Sequence, residues 1–377
     1  MRTKIIATIG PACAETETLA QLFDEGASVI RFNFSHGTRA QHERWLAKIR
    51  KAEKRSGHHV SILQDLAGHR IRTGYLQGHM PVYLKVGQQV TLTRKQLHGT
   101  SRWVSIDYPG SFDKIAFGQM VYIEDGKIHL QVIESRPDEL ETVVIQEGRL
   151  GERKGVNMPG AALAFPPLSE KDIEDLAFAI DNRIEFVAQS FVRGAEDVVA
   201  IRKRLKSKTP RTRIIAKIES PEGVRHFDSI LQVSNGAMVA RGDLGLTLPI
   251  HEIPILQKWM IATCNHRHKQ IVTATQMLES MVEKRVPTRA EVTDVANAVI
   301  DGTDFVMLSG ETAMGKYPVE AVQMMRTIIE YTEQQMPYRS TEGWAQSCPR
   351  FGSPDPTPGP CALPGPTQQS PEPGKSG

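Results

Sequence analysis

Cysteine is scarce in this 377-residue chain: there are four, Cys13, Cys264, Cys348 and Cys361, and none forms a C-x-x-C pair. Neither a disulfide framework nor a thiolate zinc site is indicated, so a reducing, cytoplasmic compartment is the expectation. Long apolar runs are missing too. Nothing approaches the roughly 18 residues of a membrane span, and the N-terminus, MRTKIIATIG, lacks the apolar core and cleavage site of a secretory signal. Nor is there a surplus of one charge. The 46 Lys and Arg against 43 Asp and Glu argue against a nucleic-acid or membrane-surface partner. No internal repeat is found, which sets aside solenoids and propellers.

What is present is unevenly spread. Residues 337–377 hold 10 of the 23 prolines and 6 of the 30 glycines. With almost no aliphatic residues, that stretch cannot build a core and is expected to be a disordered tail. The folded part is expected to end near Gln335.

Before the tail, apolar runs alternate with amphipathic stretches. Strands are expected at 5–9, 29–34, 60–65, 184–190, 213–219, 237–242, 271–275 and 304–309. Helical periodicity follows at 15–25, 38–55, 194–206, 220–233, 250–268, 288–300 and 317–334. The third strand finds its helix only at 169–182, which opens with a Ser169-x-x-Asp172 capping pattern. Eight strands and eight helices in alternation define an α/β protein of the (β/α)₈ TIM-barrel type. The detour after the third strand alternates and runs β-branched, with a hairpin signal at Asp125-Gly126. It reads as an inserted all-β barrel. The expected division is a discontinuous barrel of 1–74 and 156–336, a lid of 75–155 and the tail of 337–377.

Barrel chemistry sits at the C-terminal strand ends. Arg31, Asn33 and Ser35 alternate with Ile30, Phe32 and Phe34, which puts three polar groups on one face of a strand buried on both sides. The fifth strand ends Lys217-Ile218-Glu219, and the sixth runs into Arg241-Gly242-Asp243. Two carboxylates with no His or Cys cluster suit a hard cation such as Mg²⁺ or Mn²⁺. A lysine beside them suits a phosphoryl group in transfer. The plainer alternative is a Lys217–Glu219 ion pair that only holds the barrel together.

These residues lie within longer motifs: TKIIATIGPA (3–12), RFNFSHG (31–37), KGVNMPG (154–160), IAKIESPEG (215–223), MVARGDLG (238–245), ATQMLESM (274–281) and the long run PTRAEVTDVANAVIDGTDFVMLSGETAMGKYPVEA (287–321). In order and over about residues 1–335, the chain resembles the pyruvate kinase family. The resemblance implies the glycolytic transfer of the phosphoryl group of phosphoenolpyruvate to ADP, with a β-domain that closes as a lid. It implies Mg²⁺ or Mn²⁺ on Glu219 and Asp243, and Lys217, Arg31 and Thr275 as catalytic side chains. Lys217 and Arg31 would touch the phosphoryl group, while Gly242, Asp243 and Thr275 would hold the substrate carboxylate. Nucleotide contacts would come from Asn33, Phe34, Ser35, His36, Arg72 and Lys154.

The departures from the family pattern carry expectations of their own. Asn33, Ser35 and Asp65 match the family's K⁺ site, but Leu66 stands where Thr is common. Arg70 replaces a Glu, so its guanidinium is expected to substitute for the monovalent cation. His69 replaces a hinge Pro, which suggests a looser lid, and Thr247 replaces a Glu. The family's C-terminal regulatory domain has no counterpart in 337–377. The expectation is therefore a homo-oligomer built on barrel–barrel contacts, without effector response. Two rival functions remain at this point: another Mg²⁺-dependent barrel enzyme handling a pyruvate enolate, and a weakly active or inactive relative of the family.

Overall fold

The computed structural model describes residues 1–124, 126–161, 163–205 and 209–336. The expected tail of 337–377 and Asp125 of the expected turn lie outside them. Eight parallel strands form a closed barrel: β1 (Lys4–Thr8), β2 (Ala27–Asn33), β3 (Ser61–Asp65), β4 (Phe186–Gln189), β5 (Arg213–Ile218), β6 (Gly236–Ala240), β7 (Gln270–Ala274) and β8 (Phe305–Leu308). Each pairs with the next, and β8 returns to β1. Every strand lies within two residues of its expected position.

Strands buried on both faces divide their side chains by the period of two. Along β1, Ile5 and Ala7 join the layer under the helices, whereas Ile6 points into the lumen. There it meets Val29, Leu63, Ile215, Met238, Val272 and Met307. The barrel is therefore a packed core and not a pore.

Local sequence sets the helix limits. Ser169 and Thr288 each form a capping box, with Asp172 and Glu291 as their reciprocal partners. Gly57 (φ 75°) and Gly302 (φ 97°) end the helices Arg39–Ser56 and Arg289–Asp301 in the left-handed conformation that glycine adopts without steric cost. The expected helix at 220–233 is two, Pro221–Arg225 and Phe227–Val233, broken at His226. A further helix at Arg241–Thr247 follows β6 directly, where the sequence suggests strand to Gly242. Its single buried residue, Leu244, leaves no amphipathic stripe to read.

Between β3 and β4 lies the inserted β-domain. Its seven-stranded sheet starts with Ile71–Arg72, paired with the returning Gly155–Asn157. A bridge from Thr73 to Ile106 and a Gly74 N–H to Ser105 carbonyl bond of 2.7 Å join the sheet's two edges. The strands Met120–Ile123 and Ile128–Arg136 form the expected hairpin. Leu84, Val90, Leu92, Ile123, Leu130 and Leu140 fill a core of its own. Among the described residues, Cys13 and Cys264 are buried free thiols, and no helix is long and apolar enough to cross a membrane.

Candidate active site

Asp65, the last residue of β3, is the hub of the polar groups at the C-terminal pole. Its Oδ2 accepts from Nε of Arg31 at 2.7 Å, and Nη2 of Arg31 lies equally close. Nη1 of Arg31 donates to Thr8 Oγ1 at 3.1 Å. On the other side, Nζ of Lys217 sits 3.1 Å from Asp65 Oδ1 and 3.0 Å from Glu219 Oε1, and donates to Ser190 Oγ at 2.6 Å. Ser190 donates to the Leu66 carbonyl at 2.8 Å. Residues on or just beyond the first five strands thus share one buried network. Arg31, Asp65, Lys217 and Glu219 are each less than a tenth exposed.

Burial is the largest influence on the protonation of these groups; charge pairs overturn it for Asp65 and Lys217 but not for Glu219. Burial opposes ionisation of Asp65, but Lys217 and Arg31 outweigh it and hold its carboxyl below the usual range. For Lys217, burial pulls down, and the carboxylates of Asp65 and Glu219 raise it above an ordinary lysine. Burial pushes Glu219 up to about 7, against Lys217 and with help from nearby Asp243.

Glu219 also bears on what the site could hold. Its Oε2 accepts from Phe191 N–H at 2.6 Å. Among the described residues its buried Oε1 accepts no hydrogen bond, because the Lys217 contact has ion-pair proximity without alignment. A buried carboxylate oxygen left in this state is costly, and it is a fitting donor for a hard cation. Asp243, in the first turn of the helix Arg241–Thr247, lines the same 150 Å³ cavity as Glu219. Thr247 has a structural account here: its hydroxyl reaches the carbonyls of Leu244 at 3.0 Å and Glu219 at 3.3 Å.

Thr275 lies across this mouth. Gly242 N–H donates to its Oγ1 at 2.8 Å. Thr275 (φ 67°) and Gln276 (φ 54°) both occupy left-handed backbone, a strained choice for a β-branched residue and one found at functional sites. Arg241 holds them there. Its Nη2 donates to the Thr275 carbonyl at 2.6 Å and its Nε to the Ala274 carbonyl at 3.3 Å. Asp294 fixes Nη1 from behind at 2.6 and 2.7 Å. Sequence reading overlooks this clamp, and it also overlooks Ser190 and Thr8. The only available signal is the position of Arg241, directly after a strand end.

The remaining expected residues are more dispersed. β2 ends at Asn33, so Ser35 lies in the turn beyond, with its N–H on Asn33 Oδ1 at 3.1 Å. Phe34 is packed away, stacked on His42 with ring centroids 4.2 Å apart. Burial pushes His36 down, and Arg70, Arg72 and Arg31 push it further. That places three guanidinium fields on one ring. Arg70 extends its Nη2 to 4.0 Å from Asp243 and lies over the Phe191 ring. Arg72 and Lys154 do not join the central network. Arg72 Nη1 donates to the Arg153 carbonyl at 3.2 Å, and Lys154 pairs with Glu124 at 3.1 Å. His69 stacks on Phe165 at 4.7 Å, and its Nε2 lies 2.8 Å from the Pro166 carbonyl. Where a loosened hinge is expected, the ring ties together the two arms that connect the β-domain to the barrel.

A closed parallel barrel, a β-domain inserted after its third strand, and a mouth built from buried Lys217, the cavity-lining carboxylates Glu219 and Asp243 and nearby arginines define a (β/α)₈ barrel protein with a charged site at its C-terminal pole. Comparison with known proteins makes this particular. Residues 1–322 match the model for the pyruvate kinase barrel domain. The chain is 46% identical over 341 residues to a pyruvate kinase of Geobacillus stearothermophilus, covering 90% of this chain and 58% of that protein. It is 42% identical over 352 residues to one of Thermococcus litoralis, covering 93% and 74%. Among solved structures, a pyruvate kinase of Cryptosporidium parvum superposes with a TM-score of 0.85 at 44% identity, covering 88% of this chain and 69% of the other. The chain belongs to the pyruvate kinase family, and it spans little more than half the length of the Geobacillus relative.

Proposed function

We propose that this chain, in a reducing cytoplasm, transfers the phosphoryl group of phosphoenolpyruvate to ADP, giving pyruvate and ATP. The observation that carries this reading is the buried Lys217 ammonium, held by Asp65, Glu219 and Ser190 at the end of β5. A fixed positive charge in a water-poor site is what a phosphoryl group in transfer requires.

Glu219 and Asp243 would hold the divalent cation, Mg²⁺ or Mn²⁺, which when bound supplies Lewis-acid charge to substrate oxygens. Arg31, braced by Asp65 and Thr8, offers a second cation to the phosphate. Gly242 and Asp243, in the first turn of a helix, would hold the substrate carboxylate with Thr275, the Gly242 N–H exchanging its bond to Thr275 Oγ1 for one to the substrate. The guanidinium groups around His36 supply a positive field for the ADP phosphates. The lid excludes water, the competing phosphoryl acceptor. A coupled assay of phosphoenolpyruvate, ADP and Mg²⁺ tests the proposal; a folded sample that makes no ATP refutes it.

Arg70 is proposed to replace the monovalent cation, because its charge is permanent and it leans over the same anionic mouth. Activity in potassium and in tetramethylammonium buffer is expected to be the same. Many-fold activation by potassium would overturn this.

Arg241 acts as a positioning residue for the substrate carboxylate. Lysine cannot reproduce its fork of donors, so Arg241→Lys is expected to raise the KM for phosphoenolpyruvate about tenfold, equivalent to ~1.4 kcal/mol, with a smaller change in kcat. An unchanged KM would show that the strained loop holds itself.

A further inference from the structure

At the opposite pole, the N-terminal ends of the strands enclose a second cavity of about 700 Å³. Four cationic side chains border it: Lys4, Arg183, Arg211 and Arg213. The one carboxylate that lines it, Glu185, already accepts Ile62 N–H at 2.9 Å. Among the described residues, no ion pair engages any of the four cations. Like charges gathered around one concavity repel each other, and an anion placed between them relieves this.

Three further observations give the cavity the character of a binding site. Thr209 lines it and is 7% exposed, and its buried hydroxyl has no hydrogen-bond partner among the described residues. Such a buried donor is costly unless a ligand or water meets it. The neighbouring Thr212, by contrast, donates to the Ile184 carbonyl at 2.8 Å. Arg213 is already oriented, with its guanidinium over the Phe186 ring at 5.6 Å and its Nη1 donating to Gln270 Oε1 at 3.3 Å. Phe186 and Phe305, edge to face at 6.2 Å, add an apolar aromatic wall.

We propose that this cavity binds a small organic phosphate, its dianionic head among the guanidinium groups and a planar or apolar body against Phe186 and Phe305. A compact molecule is favoured over a polymer, because the feature is a concavity of small-molecule size on a chain whose net charge is only +3. The lumen layer of Ile6, Leu63, Ile215, Met238 and Val272 separates it from the catalytic mouth. The site is therefore independent of the function proposed above.

The test is calorimetric titration of the full chain with 1-naphthyl phosphate, which carries both a dianion and a planar ring. Saturable one-to-one binding is expected, weakened at least about tenfold in Arg183→Gln/Arg211→Gln, which removes two charge-assisted partners. Binding is expected to persist in Arg72→Gln and to be undetectable with neutral 1-naphthol. No binding, equal affinity in the double variant, or loss only in Arg72→Gln would each overturn the proposal. A crystal soaked with the same compound provides a readout independent of the variants: density at Arg183 and Arg211 supports the site, and density only at the mouth refutes it.

Discussion

Lys217→Met is expected to cut kcat for ATP formation about 10³-fold, the scale on which removing one preorganised charge from a transition state is felt. Methionine keeps the unbranched length of the side chain, so the space beside Asp65 and Glu219 stays filled while the charge is lost. Substrate binding should suffer less than turnover, since Arg31 and the Gly242–Thr275 pair remain to hold the phosphate and carboxylate. Steady-state kinetics in the coupled assay, with circular dichroism to confirm the fold, read this directly. Activity within about tenfold of the parent would mean that Lys217 only braces the barrel, the plainer alternative that its sequence context leaves open.

The largest loss of stability is expected at Asp65→Ala. Its carboxylate is 1% exposed and faces two buried cations, Arg31 and Lys217. Removing one partner of a buried ion pair typically costs about 3–5 kcal/mol, because the charge left behind has lost both water and its counterion. Arg31 cannot escape by losing its proton. The sign with pH follows from the depressed carboxyl of Asp65. Its contribution is complete above the ordinary carboxylate range and is lost as pH falls through the folded-state value. The parent and the variant should therefore converge in strong acid. For a barrel of this size the neutral-pH loss corresponds to a fall in Tm of roughly 10 °C. A melting curve within about a degree of the parent's would contradict the hub role.

The sequence made the architecture legible because its signals are local. Ile5, Ile6 and Ala7 announce a strand buried on both sides, and Ser169 and Asp172 announce a helix start. The candidate site was legible residue by residue but not as a network. Lys217 and Glu219 are neighbours in the chain, whereas Asp65, which joins Lys217 to Arg31, is separated from both by long stretches. The clamp of Arg241 on Thr275 was hidden for the same reason. It depends on which carbonyls a strained loop presents, and no period in the sequence encodes a left-handed φ at a threonine. His69 misled because replacing a hinge proline suggests freedom, and only the fold brings Phe165 and Pro166 to its ring.

The placement of the β-domain also bears on how the chain reaches its native state. Leu63 of β3 pairs with Phe186 of β4 across roughly 120 residues, and closing so long a loop costs about 4 kcal/mol of chain entropy. Once Ile71–Arg72 has zipped onto Gly155–Asn157, the free chain between the two barrel strands shrinks to roughly 35 residues, which saves about 1 kcal/mol. The insert, with a core of its own, can form before the barrel and act as a splint that brings the third and fourth strands together. The inserted domain would then also speed closure of the barrel that carries it.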